Sequence, residues 1–386
     1  MRDAVICAAV RTPVGKRGGG LSGVHAVDLS ATVLDALVER TGIDPAVVED
    51  VFWGCVSQVG EQTFNIGRNA VLAAGWPESV PGTTIDRQCG SSQQTVAFAA
   101  ATVISGQADV VVAGGVESMS RVPMGAARAD GSAGKPLGPR FLERYGGVFP
   151  NQGIGAEMIA ERWGFSRTQL DEFSLASHEK AAKAQADGAF EEEIVPVTTP
   201  DGTVVSADEG IRPGGTLEKL GSLKTPFKED GVISAGNASQ ISDGSAALLV
   251  TTSERARELG LRPLVRIHTT VMAGDDPVIM LTAPIPATHK LLQRSGLSVG
   301  DIGVFEVNEA FAPVPLAWQA ETGADVDRLN PRGGAIALGH PLGASGARIM
   351  TTLVHTMQAT GTRYGLQTMC EGGGMANATI LELVTD

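Results

Sequence analysis

The chain has 386 residues, of which 43% are hydrophobic and 19% charged, so it can form two or three domains with a substantial core. Thirty basic against 43 acidic residues leave a formal charge of −13, which argues against a nucleic-acid partner, because such binding requires a basic face. Four cysteines are too few for a disulfide scaffold, and no apolar run approaches the ~18–20 residues of a membrane span. We therefore expect a cytoplasmic protein with no membrane or nucleic-acid partner.

Short apolar runs alternate with capped helical stretches, which is typical of an α/β fold. In the first half, residues 4–10 predict a buried strand, and a helix is expected between Asp28 and Gly42. A second helix follows Cys89 and ends at Gly106. The run 109–113 predicts a further buried strand, whose terminal glycines, 114 and 115, would let another element approach closely.

The second half repeats this pattern. Strand-like GVFEV leads into a helix that ends at Gly323, and a glycine-rich turn around His340 precedes a long helix. The strands LQTMC and ANATILELV follow, separated by glycines 372–374. Each half thus places a reactive residue before a helix and then a strand ending in glycines. This indicates an internal duplication.

The region between the halves differs in composition. Residues 121–153 are dense in Gly, Pro, Arg and Asp, and Ser166 with Gln169 forms a capping box for a helix that ends near Gly188. We predict that 119–241 is an inserted lid or loop domain. The flanking domains would then be 1–118 with 242–262, and 263–386.

Cys89 is the first candidate for chemistry, because it lies directly before an apolar helix in DRQCGSSQQ. The positive end of the helix dipole and the free N–H groups there would lower the pKa of the thiol and favour a nucleophilic thiolate. The alternative is a small buried apolar side chain, the usual state of a lone cysteine. Cys7 and Cys55 lie in apolar strand-like stretches, where that alternative is favoured.

His340 and Cys370 complete the set of candidates. His340 lies in the loop-to-helix segment GHPLGASGAR, and a neutral histidine beside a thiol is the usual general base. Cys370 ends a strand before Glu-Gly-Gly-Gly, where exposed N–H groups suit an oxyanion hole. A thiol nucleophile, an imidazole base and a second thiol suit acyl transfer through a thioester.

Two other chemistries are disfavoured by spacing. Two cysteines and one histidine could bind zinc, but no CxxC or HxxxH pattern supports a metal site. The single GxGxxG, at Gly18, Gly20 and Gly23, trails the first strand by RTPVGKR instead of following it directly, and no Walker-type loop occurs. Nicotinamide and nucleotide triphosphate chemistry are therefore not expected.

The motifs taken together resemble the thiolase family over essentially the whole chain. They occur in order: DRQCGSSQQ around Cys89, GGVESMSRVPMG at 114–125, GNASQISDGSAA at 236–247, NEAF at 308–311, GGAIALGHPLGASGAR at 333–348 and CEGGG at 370–374. The resemblance implies two βαβαβαββ halves in five α-β-α-β-α layers, with a loop domain inserted in the first half.

The resemblance also implies a mechanism. Cys89 would attack the 3-keto carbon of a 3-oxoacyl-CoA while His340 accepts its proton, and Cys370 would protonate the departing acetyl-CoA enolate and then activate free CoA. The implied oxyanion donors are His340 with a water held by Asn308, and the backbone N–H groups of Cys89 and Gly372. CoA and the 3-oxoacyl-CoA are substrates, and no cofactor or metal is implied. The residues that match CoA-lining positions of the family are Arg212, Leu223, Phe227, Ala235, Ser239 and Phe311.

One departure bears on the substrate. Relatives specific for acetoacetyl-CoA often show His-Met-Gly where this chain reads Asn151-Gln152-Gly153. We therefore expect a degradative enzyme of β-oxidation type that accepts longer or bulkier acyl chains; a biosynthetic acetoacetyl-CoA thiolase is the alternative. By the same resemblance we expect a homodimer or homotetramer.

Three other kinds of protein fit part of the pattern. A ketosynthase-type condensing enzyme would pair its cysteine with two histidines, whereas here His340 stands with Cys370. A thiolase-like lipid carrier would be expected to lack one of the reactive residues, and all are present. A cysteine hydrolase would not need Cys370, because its acyl acceptor is water.

Overall fold

The fold consists of one large mixed sheet and the helices that cover it. A computed structural model describes residues 2–128, 131 and 134–385. The strands are β1 (Val5–Arg11), β2 (Gly15–Lys16), β3 (Asp50–Gly54), β4 (Thr83–Ile85), β5 (Val110–Ser118), β6 (Val197–Thr198), β7 (Val204–Val205), β8 (Ser242–Thr251), β9 (Val265–Gly274), β10 (Val304–Val307), β11 (Tyr364–Glu371) and β12 (Met375–Leu383).

Helices follow most strands, in the alternation that the sequence predicts. They are α1 (Ala26–Thr41), α2 (Ile66–Ala73), α3 (Ser91–Ser105), α4 (Pro139–Arg144), α5 (Gln152–Trp163), α6 (Arg167–Ala186), α7 (Leu217–Gly221), α8 (Ser253–Glu258), α9 (Pro284–Ser295), α10 (Pro313–Thr322), α11 (Ala335–Leu338) and α12 (Ser345–Thr360). None of the helices in the described ranges is long and apolar enough to cross a membrane.

The strand order confirms the predicted duplication. The first half has the order β3-β5-β8-β1 and the second has β10-β11-β12-β9. In each half the first pair of strands is parallel and the next two pairs are antiparallel. β4 adds a parallel strand beside β3. The halves join where β1 pairs with β9 over two residues, Val5 with Arg266 and Ile6 with Val265.

Five layers result from this arrangement. α1 and α2 cover the outer face of the first half, and α9 packs on the outer face of the second with α10 against it. α3 and α12 lie between the two halves, in an apolar core shared with β5, β8, β9 and β10. The predicted α-β-α-β-α layering is confirmed. Because the middle helices begin at Ser91 and Ser345, the residues just before them face one another across the two halves.

The segment 119–241 leaves the sheet between β5 and β8, which are direct neighbours. It contributes α4 to α7 and a small two-stranded sheet formed by β6 and β7. The capping box is confirmed, since the Ser166 side chain accepts from the Gln169 N–H and Gln169 accepts in return. The domain limits given above stay predictions.

Two element bounds differ from the sequence-based expectation. α1 begins at Ala26, because His25 and not Asp28 supplies the capping acceptor. β5 continues through Gly114 and Gly115 instead of ending there. A methyl group on Gly115 would lie 2.3 Å from the Gly343 carbonyl oxygen, so this strand does use glycine for the close approach that was expected.

Candidate active site

Cys89 lies in a tight turn that enters the middle layer. Gln88 has a left-handed backbone with φ of +48°, and Gly90 caps the start of α3. The turn is held by hydrogen bonds from the Arg87 N–H to Ser91 Oγ at 2.9 Å and from the Ser91 N–H to the Gln88 carbonyl at 3.0 Å. The Cys89 side chain is 5% exposed, so the thiol is almost wholly withdrawn from water.

The expected low pKa of Cys89 is wrong for this resting structure. Burial, with added repulsion from Glu371, raises the pKa of the thiol to about 12. The backbone N–H groups of Cys89 and Gly372 act in the opposite direction, as the helix-start argument requires, but they are outweighed. Desolvation penalises the thiolate more than these donors stabilise it. Cys89 therefore rests as a neutral thiol and needs a base.

Cys370, from the second half of the chain, lies beside Cys89. It lies near the end of β11, is fully buried, and belongs to the apolar core under α5 and α10. Its pKa is raised well above the ordinary value by burial and by the neighbouring Cys89. The glycine run that follows turns sharply, with φ of +87° at Gly373 and +74° at Gly374. This turn brings the Gly372 N–H to the Cys89 thiol.

His340 is held as a neutral, oriented imidazole. Its Nδ1 lies 2.6 Å from Ser345 Oγ, which donates its own hydrogen to the Pro341 carbonyl at 2.8 Å. The hydroxyl must therefore accept from Nδ1–H, which leaves the lone pair on Nε2. Burial and the charge of Arg348 lower the pKa of His340 to about 3. The residue is 4% exposed, so the ring is almost fully buried.

Asn308 stands beside the basic nitrogen. It follows β10, and its N–H donates to the Thr368 carbonyl at 3.1 Å, which fixes it next to the strand that carries Cys370. Its Nδ2 lies 3.4 Å from His340 Nε2. Its Oδ1 is buried and has no hydrogen-bond partner among the described residues. A buried polar atom of this kind is usually satisfied by water or ligand.

The turn that bears His340 in the second half is tied to the first half by Glu117. This buried carboxylate, at the end of β5, accepts from the Gly343 N–H at 2.9 Å and from the Val56 N–H at 2.9 Å. It also accepts from the Ser57 N–H and from Gln62 Nε2. Leu342 packs in the same apolar cluster as Cys89. The turn that bears His340 therefore packs against the turn that bears Cys89.

The candidate CoA residues form a connected group beside this centre. The ring of Phe227 meets Phe311 edge-on, with centroids 6.1 Å apart. Phe311 forms an isolated antiparallel β-bridge with Ala238, and the Ser239 N–H donates to the Ala310 carbonyl at 2.9 Å. Leu223 is 37% exposed and lies next to Gly236. Ala235 is exposed beside it.

Arg212 is exposed and lies at the edge of this group. Its guanidinium donates to Gln240 Oε1 at 3.4 Å, and Gln240 in turn accepts from the His340 N–H at 3.2 Å through its carbonyl. Gln240 thus connects the Arg212 cation to the turn that bears His340. Its exposure leaves it available to an anionic ligand.

Two surface cavities lie elsewhere in the described chain. One, of about 300 Å³, is lined by residues of α5 and the 228–232 loop. The other, of about 390 Å³, lies between the end of α6 and residues 206–207. No predicted site residue lines either. No group of three or more His, Cys, Asp or Glu side chains within the described ranges could hold a metal ion.

Three residues of the site were missed from the sequence. Ser345 orients His340, Glu117 fixes the His340 turn, and Glu371 lies unpaired beside the thiols. Glu371 could have been found, because a carboxyl directly after a reactive cysteine is conspicuous. Glu117 gave no local signal, since its partners come from distant parts of the chain.

Comparisons with known proteins agree with this geometry. The family described as "Thiolase, N-terminal domain" matches residues 4–254, and "Thiolase, C-terminal domain" matches residues 261–383. The steroid 3-ketoacyl-CoA thiolase FadA6 of Mycobacterium tuberculosis is 50% identical over 99% of this chain and 94% of its own length. A beta-ketoadipyl-CoA thiolase of Escherichia coli is 45% identical over all of both chains.

A solved structure is similar throughout. The crystal structure of the Bacillus anthracis acetyl-CoA acetyltransferase superposes with a TM-score of 0.92 at 40% identity, covering 100% of this chain and 99% of that one. The chain is an acyltransferase and belongs to the thiolase family, as its sequence motifs predicted.

Proposed function

We propose that this enzyme cleaves 3-oxoacyl-CoA with free CoA, giving acetyl-CoA and a shortened acyl-CoA. Cys89 attacks the 3-keto carbon and passes its proton to His340 Nε2. The bond between carbons 2 and 3 then breaks, and Cys370 protonates the carbon of the departing enolate. Cys370 next takes the proton of free CoA, whose sulfur attacks the acyl-Cys89 thioester. The Cys89 thiolate leaves and takes back its proton from His340.

One observation supports this proposal above the others: a second, fully protonated thiol lies beside the first. Burial and Cys89 hold the pKa of Cys370 far above its ordinary value, so Cys370 carries a proton at neutral pH. A carbon leaving group needs such an acid, whereas hydrolysis through a cysteine and a histidine does not.

The remaining site residues suit oxyanion stabilisation. The N–H groups of Cys89 and Gly372 already point at the Cys89 sulfur, where the oxygen of an attacked carbonyl would lie close by. The unsatisfied Oδ1 of Asn308 suits a water that, with His340, would face the enolate oxygen. Removing one such donor typically costs about 10²–10³ in rate.

We propose a CoA cleft along the group Leu223, Phe227, Ala235, Ser239 and Phe311, with Arg212 toward the phosphates or the adenine. Apolar and small residues suit the pantetheine arm, and an exposed guanidinium suits an anion. A degradative role on longer or bulkier acyl chains is supported by Asn151-Gln152-Gly153 at the start of α5 and by the steroid and beta-ketoadipyl substrates in the names of two relatives. A cytoplasmic homo-oligomer is proposed with it.

Acetoacetyl-CoA thiolysis or synthesis is the second candidate. The solved structure that matches this chain over its full length is described as an acetyl-CoA acetyltransferase. Rates over a series of 3-oxoacyl-CoAs decide between the two. Activity confined to acetoacetyl-CoA would reject the proposal of a longer or bulkier substrate.

The cleavage proposal is tested by comparing the wild type with Cys370→Ala. Thiolysis should require CoA in the wild type and fall by at least about 10³ in the variant, because the variant lacks the acid and base. Circular dichroism and thermal unfolding control for folding. Hydrolysis without CoA that persists in Cys370→Ala would favour a hydrolase and reject the proposal.

A further inference from the structure

Glu371 is a buried carboxyl group for which the mechanism above has no use. It directly follows Cys370, it is 0% exposed, and neither Oε1 nor Oε2 has a hydrogen-bond partner among the described residues. Leaving an ionised carboxylate in this condition is expensive, so the group has to be neutral or to do something that offsets its cost.

The carboxyl lies against the backbone of the Cys89 turn. A methyl group on Gly90 would lie 2.0 Å from Glu371 Oε1 and 2.8 Å from Asn377 Nδ2. Gly90 is therefore the residue that lets this carboxyl come so close to the thiol. Asn377 donates an Nδ2 hydrogen to the Gly90 carbonyl at 3.0 Å, and its Oδ1 is unpaired, so its side chain makes no hydrogen bond to Glu371.

We propose that Glu371 is a titratable group whose protonation state controls how readily Cys89 loses its proton. When Glu371 is protonated it is uncharged and does not oppose a developing thiolate. When it loses its proton to solvent, its anion lies beside both thiols and opposes negative charge on either of them. The same residue therefore permits nucleophilic attack at neutral pH and suppresses it in alkaline solution.

The charges around Glu371 agree with this role. Burial raises the pKa of Glu371 to about 8, while Arg87 and the backbone N–H of Asn377 partly oppose this and Asp86 adds to it. Glu371 in turn raises the pKa of Cys89 and contributes to the raised pKa of Cys370. These groups come from the turn before α3 and from the end of β11. On β12, neither Met375, which pairs with Glu371, nor Asn377 carries a charge.

The test measures thiol reactivity directly and needs no CoA. Wild type, Glu371→Gln and Glu371→Asp are treated with iodoacetamide from pH 6 to 10, and labelling of each cysteine is followed by mass spectrometry. A like charge at close range shifts a pKa by about 1–3 units. We expect Cys89 of Glu371→Gln to react at least about tenfold faster than wild type at pH 9.5, and within about twofold at pH 6.5.

Two controls separate this effect from loosening of the fold. Glu371→Asp keeps a titratable carboxyl and should keep the suppression at alkaline pH. Cys7 and Cys55, whose raised pKa values do not involve Glu371, should label equally in all variants; Glu371→Met replaces the glutamine variant if that does not fold. If the ratio of the Cys89 labelling rate in Glu371→Gln to that in wild type is the same at pH 6.5 and 9.5, the inference is overturned.

The inference rests on the proposed function only in taking Cys89 as the nucleophile, and the two can fail separately. Parallel labelling profiles with a normally acylated Cys89 would reject the role of Glu371 alone. A pH-dependent difference in labelling with no acylation of Cys89 would reject the proposed function alone.

Discussion

At the scale of single residues, the proposed nucleophile and the proposed base are both uncharged in the resting site. The thiol of Cys89 is neutral because it is buried, and the imidazole of His340 is neutral because it is buried near Arg348. In the proposed mechanism, attack therefore moves one proton from the Cys89 sulfur to the His340 nitrogen within a buried site. Such a transfer requires the nitrogen lone pair to be aimed, and Ser345 aims it.

The first prediction concerns pH. Because the pKa of His340 is lowered to about 3, the imidazole is unprotonated at every pH above that value, and an ordinary histidine with a pKa near 6.5 would not be. We expect kcat/KM for thiolysis to show no loss between pH 7 and 5 that follows a single group of pKa 6–7. A stopped-assay pH profile with saturating CoA measures this. A clear inflection in that range would show that His340 titrates normally.

The second prediction concerns Ser345→Ala. Losing the hydroxyl removes the acceptor for Nδ1–H, so the ring can rotate or adopt the other tautomer. We expect kcat to fall by about tenfold or more, within the range for impaired general-base catalysis, with little change in KM. Thr356→Ala is the matched control, because Thr356 also bonds to the carbonyl four residues earlier in α12 but lies away from His340. Equal losses in both variants would contradict an orienting role.

At the scale of elements, the candidate residues Cys89 and His340 lie in two turns that precede the middle helices, and Glu117 at the end of β5 binds the His340 turn to the first half. Its carboxylate accepts from four donors in three separate segments. None of these contacts is local in sequence. A change at this residue should therefore misplace His340 without touching it.

The third prediction is that Glu117→Gln lowers kcat by about 10², since a misplacement of 1 Å can cost that much. The amide presents hydrogens to backbone N–H groups that need an acceptor, so the Gly343 turn should shift. Glu157→Gln is the control, because Glu157 is also buried and accepts from the Val232 and Ile233 N–H groups at 2.9 Å. If Glu157→Gln lowers kcat as much as Glu117→Gln does, and both variants are equally stable, Glu117 has no special role in positioning His340.

The comparison of sequence with structure also belongs at this scale. Strands and helices were predictable because apolar runs, caps such as Ser166 with Gln169 and terminal glycines are local signals. Cys89, His340 and Cys370 could be singled out as candidates because each stands at a strand or helix junction. The raised pKa of Cys89 was not predictable, because the sequence shows the helix start but not the depth of burial or the nearby Glu371.

At the scale of the whole molecule, the two halves meet in a shared layer of helices. α12 is buried over most of its length, and Met350 and Leu353 pack in the core that also contains residues of α3 and of both halves of the sheet. The approach of the two candidate turns therefore depends on this layer, since both turns lead into its helices.

The fourth prediction is that Met350→Ala lowers the free energy of unfolding by about 2–5 kcal/mol, as truncation of a fully buried side chain does. Ile104→Ala on α3, where the side chain is 45% exposed, should change it by less than about 1 kcal/mol. Urea unfolding followed by circular dichroism measures both. A small effect at Met350 would contradict a tightly packed middle layer.

The central claim is that Cys89 carries the acyl group. Cys370 protonates the carbon of the leaving enolate and later takes the proton from the sulfur of the attacking CoA. Intact-mass and peptide mass spectrometry of the enzyme, mixed with a series of 3-oxoacyl-CoAs and quenched in acid, tests it most directly. We predict an added acyl mass on the peptide containing Cys89, lost again when free CoA is supplied. Acyl groups found on Cys370 instead, or no covalent adduct with any substrate that the enzyme turns over, would contradict it.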